Sequence, residues 1–137
     1  AITTDMIVAF PGETEEEFSQ SLDFMDVCRF ADMHIFPYSR RPGTPADKMP
    51  GQHSNATKEE RSRKAIAKAA LLSREYLEAM LGSTAQVLFE EIQGGCFAGH
   101  TPNYTKVYVS GEGLHNEIRA VRLEKLYEDG VFGTILP

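Results

Sequence analysis

The residues best suited to chemistry stand at two strand ends. Asp5-Met-Ile-Val-Ala-Phe-Pro-Gly-Glu-Thr14 reads as an apolar strand that breaks at a Pro-Gly turn and enters a helix at Thr14. His34-Ile-Phe-Pro-Tyr-Ser-Arg-Arg-Pro-Gly-Thr-Pro45 follows one helix later. Parallel α/β proteins place binding groups at the carboxyl ends of their strands. A turn at a helix N-terminus can cradle a phosphate. Here Glu13, Glu15, Glu16 and Glu17 would repel an anion, and the Gly-x-x-x-x-Gly-Lys pattern is missing. Taken alone, the turn reads as structural. Arg40 and Arg41 leave the second strand. Either guanidinium suits a carboxylate or phosphate through two parallel hydrogen bonds, or caps a sheet edge.

Metal chemistry has little to work with. His34, His53, His100 and His115 show no ligand spacing to one another or to cysteine. His34 alternates with Met33 and Ile35 and reads as a structural histidine. Cys28 and Cys96 are far apart and form no Cys-x-x-Cys pair, so no iron–sulfur or zinc site is expected from this chain. Cys28 falls in helical register with Phe18, Leu22 and Met25 as a small buried hydrophobe. Cys96 follows Gly94-Gly95 at an expected turn. Two separated thiols fit a reducing, cytoplasmic setting better than a disulfide framework.

These groups need elements to hold them. Residues 3–10 read as a strand buried on both faces. Thr14 and Glu17 form a capping box, and the helix it starts runs to about Phe30. Asp32 to Pro37 is the next strand, so the order implies a parallel strand–helix–strand unit. Prolines 42, 45 and 50 with Gly43 and Gly51 mark a loop over residues 39–56. A second capping box, Thr57 and Glu60, opens a long helix to Met80. Ile66, Ala70, Ser73, Leu77 and Met80 form its expected buried stripe, with Arg61, Lys64 and Lys68 off it as a solvated face. Gly82 ends it.

Short strands follow: Thr84 to Ile92, Tyr104 to Val109, Glu117 to Leu126 and Val131 to Leu136, with Asp129-Gly130 as a hairpin signal. Their spacing predicts a small closed β-barrel of the OB kind. The expected organisation is α/β plus all-β: residues 1–50, a linker and helix over 51–82, and a β-domain over 83–137.

Bulk properties bound the function. The chain has 137 residues and a net charge of −6, enough for one domain or two small ones. No apolar run approaches the ~20 residues that span a bilayer, and no secretory leader is visible. The start at Ala1-Ile-Thr-Thr suggests a piece of a longer or processed protein. Charge is uneven: nine acids to four bases in residues 1–50, four to six in 51–82 and seven to four in 83–137. Bulk charge gives nucleic-acid binding no support.

Together the two strand ends resemble the last part of a radical S-adenosylmethionine (AdoMet) barrel, and more narrowly the tRNA methylthiotransferases. The matching residues are Asp-x-Ile-Val-x-Phe-Pro-Gly-Glu-Thr and His-x-Phe-Pro-Tyr-Ser-x-Arg-Pro-Gly-Thr-Pro-Ala. The resemblance implies that Ile7 and Ala9 on the first strand, and Phe36, Pro37 and Tyr38 on the second, lie beside the adenosyl group. It shifts Arg41 toward a binding role. Ala9 stands where the family usually has glycine, and its methyl narrows a close backbone approach. The last fifty-odd residues resemble a TRAM domain, an RNA-binding β-barrel, through Gly94-Gly-x-x-x-Gly99-x-Thr-x-Asn103-Tyr-x-x-Val-Tyr-Val. That implies RNA contacts from Asn103, Tyr104, Lys106, Tyr108, Arg119, Arg122 and Lys125, by stacking and phosphate contact, although strand alternation must bury some of these aromatics.

Within the family, Tyr38-Ser-x-Arg-Pro-Gly-Thr-Pro-Ala-x-x-Met-Pro-Gly-Gln52 looks most like the branch acting on N6-threonylcarbamoyladenosine beside the anticodon of tRNA. Its implied reaction adds a methylthio group to C2 of that adenine, with AdoMet and two [4Fe–4S] clusters as cofactors. The cluster cysteines are absent from this chain, which is therefore expected to be inactive by itself and to assign no catalytic residue. The alternatives are the branches acting on isopentenyladenosine or a ribosomal protein, and a non-catalytic RNA-binding module.

Overall fold

The computed structural model describes residues 1–137, which separate into two units, residues 2–74 and residues 75–137 with Ala1. In the first unit, β1 (Thr3–Val8) pairs in parallel with β2 (Asp32–Pro37), from Thr3 opposite Asp32 to Val8 opposite Pro37. Between them lies α1 (Glu15–Cys28). Thr14 Oγ1 accepts from the Glu17 amide at 3.1 Å, and Glu17 Oε2 accepts from the Thr14 amide at 2.9 Å. This is the expected capping box, with three glutamates at the positive end of the helix dipole. The helix stops at Cys28 because Arg29 turns left-handed, with its amide donating to the Met25 carbonyl.

A short 3₁₀ turn (Pro45–Lys48) interrupts the proline-rich loop. It leads to α2 (Asn55–Met80). The cap here is Ser54, three residues before the expected Thr57: its Oγ accepts from the Thr57 amide at 3.2 Å. The buried stripe also differs from expectation. Arg61, Ala65, Ala69 and Leu72 are buried, while Ile66 is exposed. Alanines at that spacing let the helix lie close to the sheet, and Ile66 is left on the rim.

The first unit buries Val8, Phe18, Met25, Phe30, Ala65, Ala69 and Leu72, with Met6, Met33, Ile35 and Cys28 packed around them. Only one face of the sheet is covered. Asp5, Ile7, His34 and Phe36 project from the other, so burial on both faces is not seen in this chain. The physical reason is simple: both helices lie on one side, and two strands have no second layer to meet.

The second unit begins in the last residues of α2. Leu77, Met80 and Leu81 pack against its core. Gly82, at φ +83°, ends the helix and donates to the Leu123 carbonyl. Five strands follow: β3 (Thr84–Gln93), β4 (Cys96–His100), β5 (Lys106–Val109), β6 (Glu117–Tyr127) and β7 (Gly130–Ile135). Cys96 thus opens a strand that the sequence reading took for a turn. Tyr104, assigned to a strand, lies in the loop before β5. Hydrogen bonding runs β3-β4-β5-β7-β6 and returns to β3, which closes the sheet. All pairs are antiparallel except β5 with β7, where Val107 faces Val131 and Tyr108 faces Phe132. Val87, Phe89, Val107, Val109, Leu114, Val121, Leu123 and Val131 fill the interior.

Closure depends on bare backbone at crossings. A Cβ on Gly99 would stand 2.1 Å from the Leu88 carbonyl oxygen, and one on Gly130 would stand 2.2 Å from that of Lys106. No side chain fits at either position. No helix is long and apolar enough to cross a membrane.

Candidate functional site

The first site is the turn that follows β1. Ala9 is fully buried and has φ +57°, the left-handed region that favours glycine. A residue with a Cβ pays about 1–2 kcal/mol to stay there, so its surroundings must hold it. The Ala9 amide donates to Glu13 Oε1 at 3.0 Å. The Gly12 amide donates to the Gly51 carbonyl at 2.9 Å, and a Cβ on Gly51 would come within 3.0 Å of Gly12. Two backbone segments therefore touch at this turn.

Arg61, read from sequence as part of a solvated face, is the group that ties the turn to α2. Its side chain is 5% exposed. Nη1 donates to Glu13 Oε1 at 2.6 Å and to the Glu13 carbonyl at 2.9 Å, and Nη2 donates to Glu15 Oε1 at 2.6 Å. The guanidinium also lies over the Phe18 ring, 5.5 Å from its centroid. Burial pulls the Arg61 pKa down, but the hydrogen bonds it donates to Glu15 and Glu13 outweigh it and hold the group above its ordinary value. Two of the four glutamates that argued against an anion are thus neutralised by one buried cation. The missed signal was the spacing of Arg61, Ala65, Ala69 and Leu72 on one helix face, which alanines mark only weakly.

The expected cofactor residues divide as follows. Ile7 and Phe36 are register partners on the open face of the sheet, 55% and 50% exposed. His34 stands on the same face, 3.5 Å from Asp5. Pro37 pairs with Val8, and the Tyr38 amide donates to the Val8 carbonyl at 2.8 Å. Tyr38 itself is buried, edge-on to Phe10 at 5.3 Å, with the Lys58 ammonium 5.5 Å from its ring centroid. Arg40 is engaged, donating to Asp47 Oδ1 at 2.9 Å and to the Asp47 carbonyl at 2.7 Å. Arg41 is exposed and its guanidinium has no partner within the chain.

Ile7 and Phe36 thus form an exposed aliphatic–aromatic pair beside the free backbone edge of β2, an apolar face with backbone donors and acceptors at its rim. A metal cluster is another matter. Both cysteines are free, and no group of three or more His, Cys, Asp or Glu side chains could hold a metal ion.

The second site is the outer surface of the closed sheet. Thr101 is buried; its hydroxyl accepts from the Thr105 amide at 3.0 Å and donates to Asn103 Oδ1. Asn103 Nδ2 donates to the Tyr76 hydroxyl at 2.9 Å. This network holds Tyr104 at φ +63° with its ring 87% exposed. The ring borders a cleft of about 520 Å³ with Gln86, Leu88, His100 and Ile118.

The other expected RNA contacts are less free. Tyr108 is 1% exposed, and its hydroxyl donates to Asp129. Lys106 donates to Gln93 Oε1 at 2.7 Å and lies 3.4 Å from Asp129. Arg119 is partly buried opposite Val87, whereas Arg122 is exposed opposite Thr84. Lys125 is exposed with its ammonium 5.2 Å from the Phe132 ring centroid. Tyr108, Tyr127 and Phe132 form an aromatic row with centroid spacings of 5.1 and 5.6 Å. Tyr127 and Phe132 were not singled out from sequence, because the row spans two strands that only pairing brings together.

Hydrogen bonding tunes this corner. The Tyr108 hydroxyl holds the Asp129 carboxyl below its ordinary range against the opposing effect of burial. Burial, reinforced by Asp129, pushes the Tyr108 phenol up. Burial pulls Lys106 down, but Tyr108 and Asp129 outweigh it and leave the ammonium above its usual value.

Comparison with known proteins covers both units. No protein-family model matches the chain. It is 38% identical to a threonylcarbamoyladenosine tRNA methylthiotransferase of Bacillus subtilis and 37% identical to one of Thermotoga maritima, in each case over 96% of its own length. It is 35% identical over 94% of its length to a tRNA-2-methylthio-N6-dimethylallyladenosine synthase of Endomicrobium trichonymphae. The chain spans about a third of the length of these relatives, between 30% and 32%. Kinship that runs through both units, at this identity and from one end of the chain to the other, places it in the tRNA methylthiotransferase family.

Proposed function

We propose that the chain is the C-terminal part of an enzyme that adds a methylthio group to C2 of N6-threonylcarbamoyladenosine beside the anticodon of tRNA. The observation that carries this is the 38% identity over 96% of the chain to a relative of that name. Residues 1–50 are read as the last strand–helix–strand of a partial (β/α) barrel, residues 51–82 as the connecting loop and helix, and residues 83–137 as a TRAM domain. Five strands in a closed Greek-key sheet support the OB-like reading. The free edges of β1 and β2 and their uncovered face support a place in a larger sheet, since a two-stranded sheet is marginal by itself.

AdoMet and two [4Fe–4S] clusters would supply the radical chemistry, with cluster cysteines from outside this chain. This chain's part is to seat the adenosyl group against Ile7, Phe36 and the turn at Ala9, next to backbone at Pro37 and Tyr38. Arg41 is the guanidinium left free for an anionic group. Tyr104 and Asn103, with Arg122 and Lys125, would meet tRNA, and Lys106, Arg119 and Tyr108 would support that surface. The setting is cytoplasmic. By itself the chain is inactive, and reductive cleavage of AdoMet by residues 1–137 after cluster reconstitution would contradict that.

A second reading is favoured by one specific observation. A dimethylallyladenosine synthase of a Mycobacterium species is 46% identical over 94 residues, although over only 69% of the chain. The two readings separate by substrate. Nucleoside mass spectrometry of tRNA from a strain deleted for the complete gene shows which hypermodified adenosine lacks its methylthio group.

A further inference from the structure

We infer that Arg61 is a positioning residue for the AdoMet-side turn and acts on it through Glu13. The inference rests on the AdoMet reading above and adds a residue to it that neither motif contains. The geometry is a relay from a helix to a backbone amide. Arg61 Nη1 grips both the carboxylate and the carbonyl of Glu13, and the same carboxylate oxygen accepts the Ala9 amide. Nη2 grips Glu15 in the first turn of α1, so one guanidinium fixes both sides of the turn. Without that fork, the Glu13 side chain has no reason to fold back four residues onto the Ala9 amide in place of water.

The left-handed conformation of Ala9 makes the relay consequential. An L-residue at φ +57° persists only where its surroundings over-determine it. Relaxing Ala9 would rotate the Val8–Ala9 and Ala9–Phe10 peptide planes, at the end of the strand that borders the adenosyl seat. A misplacement of about 1 Å in a group that positions a reacting molecule costs up to about 10²-fold in rate. A guanidinium that served packing alone would not need to engage the Glu13 carbonyl as well as two carboxylates. Lysine, a single point charge, can hold Glu13 but cannot bridge to Glu15.

The test uses the full-length protein that carries this chain, with its clusters loaded. Four forms are compared: wild type, Arg61→Met, Arg61→Lys and Ala65→Gly. Ala65 is buried one turn along α2 with Val8 and Phe18 and has no hydrogen-bonding side chain, so its glycine variant removes packing beside the turn but no bond to either carboxylate and serves as a stability control. Equilibrium dialysis gives AdoMet affinity, thermal denaturation gives Tm, and peptide-resolved hydrogen exchange over residues 7–12 reports the Ala9 amide. Arg61→Met is expected to weaken AdoMet binding by about tenfold or more and to speed exchange at the turn by a similar factor. Arg61→Lys should recover part of both. Ala65→Gly should lower Tm yet leave both readouts within about twofold of wild type. Equal AdoMet affinities for Arg61→Met and Ala65→Gly at matched Tm would overturn the inference, as would unchanged exchange at the turn in Arg61→Met. Wild-type protein that binds no AdoMet would sink the cofactor reading instead, and the exchange data would still decide whether Arg61 sets the turn.

Discussion

Arg61 and Glu13, 48 residues apart, share one short contact at 2.6 Å that also governs Ala9. The carboxylate oxygen in that contact receives a guanidinium and a backbone amide together. One buried ion pair therefore sets the conformation of the strand end that the family motif marks.

The position of Ala9 predicts a sharp contrast between two substitutions. Ala9→Gly relieves the left-handed strain but raises the entropy of the unfolded chain and removes a buried methyl, so stability should change by no more than about 1 kcal/mol. Ala9→Val adds a β-branched side chain at a fully buried site with positive φ, and should destabilise by about 3 kcal/mol. Urea unfolding of the 137-residue chain measures both. Equal effects would mean that Ala9 is not held in the left-handed region.

Closure of the second unit gives another. Gly99→Ala places a Cβ against the Leu88 carbonyl, which is backbone and cannot swing aside. The expected loss is about 3 kcal/mol. Gly111→Ala meets side chains alone, Leu114 Cδ1 at 3.0 Å and Ile135 Cδ1 at 3.9 Å, and should cost less than about 1 kcal/mol. Near-identical midpoints for the two would contradict the observed β3–β4 crossing.

The Tyr108, Lys106 and Asp129 cluster predicts a stability plateau with two limbs. Asp129 has a lowered folded pKa, so its contribution is present above the ordinary aspartate range and fades as pH falls through the folded value. Tyr108 and Lys106 have raised folded values, so theirs are present below the ordinary tyrosine and lysine ranges and fade as pH rises through the folded values. Asp129→Asn should flatten the acid limb and lower the pH at which Tyr108 ionises, since Asp129 helps hold that phenol protonated. Ultraviolet titration of tyrosine with denaturation at several pH values reads both. An unchanged Tyr108 titration in Asp129→Asn would rule the coupling out.

RNA contact by the closed sheet separates stacking from charge. Tyr104→Ala should weaken tRNA binding by about 1–3 kcal/mol with little change in the salt dependence, as expected for loss of a stacked base. Arg122→Gln should instead reduce the slope of log affinity against log salt by about 1. Filter binding across a salt series distinguishes them. A Tyr104→Ala protein with wild-type affinity would remove the exposed ring from the RNA surface.

Much of this was legible in the chain. The capping box at Thr14 and Glu17, the parallel β1–β2 order and the glycine stop at Gly82 follow from local rules, and local rules are written in adjacent residues. What escaped was set by distant partners. Arg61 looked solvated because its two carboxylates lie in another helix and turn. The buried face of α2 was misread because Ile66 outweighs alanine in any hydrophobic count, although Ala65 and Ala69 are the residues that fit against the sheet. Strand β4 was missed because Cys96, Ala98 and Gly99 carry little strand signal, and Gly99 is there for its backbone. Ala9 raised a doubt about close approach. Its positive φ gives the family's glycine a conformational reason as well.

The central claim is tested most directly by nucleoside mass spectrometry on tRNA from a strain that lacks its own threonylcarbamoyladenosine methylthiotransferase and expresses the full-length protein carrying this chain. The account predicts that the methylthio derivative of N6-threonylcarbamoyladenosine reappears, and that Arg61→Met reduces it. Restoration of methylthio-isopentenyladenosine alone, in a strain lacking both activities, would contradict the assigned substrate. Restoration of neither would contradict the proposed activity.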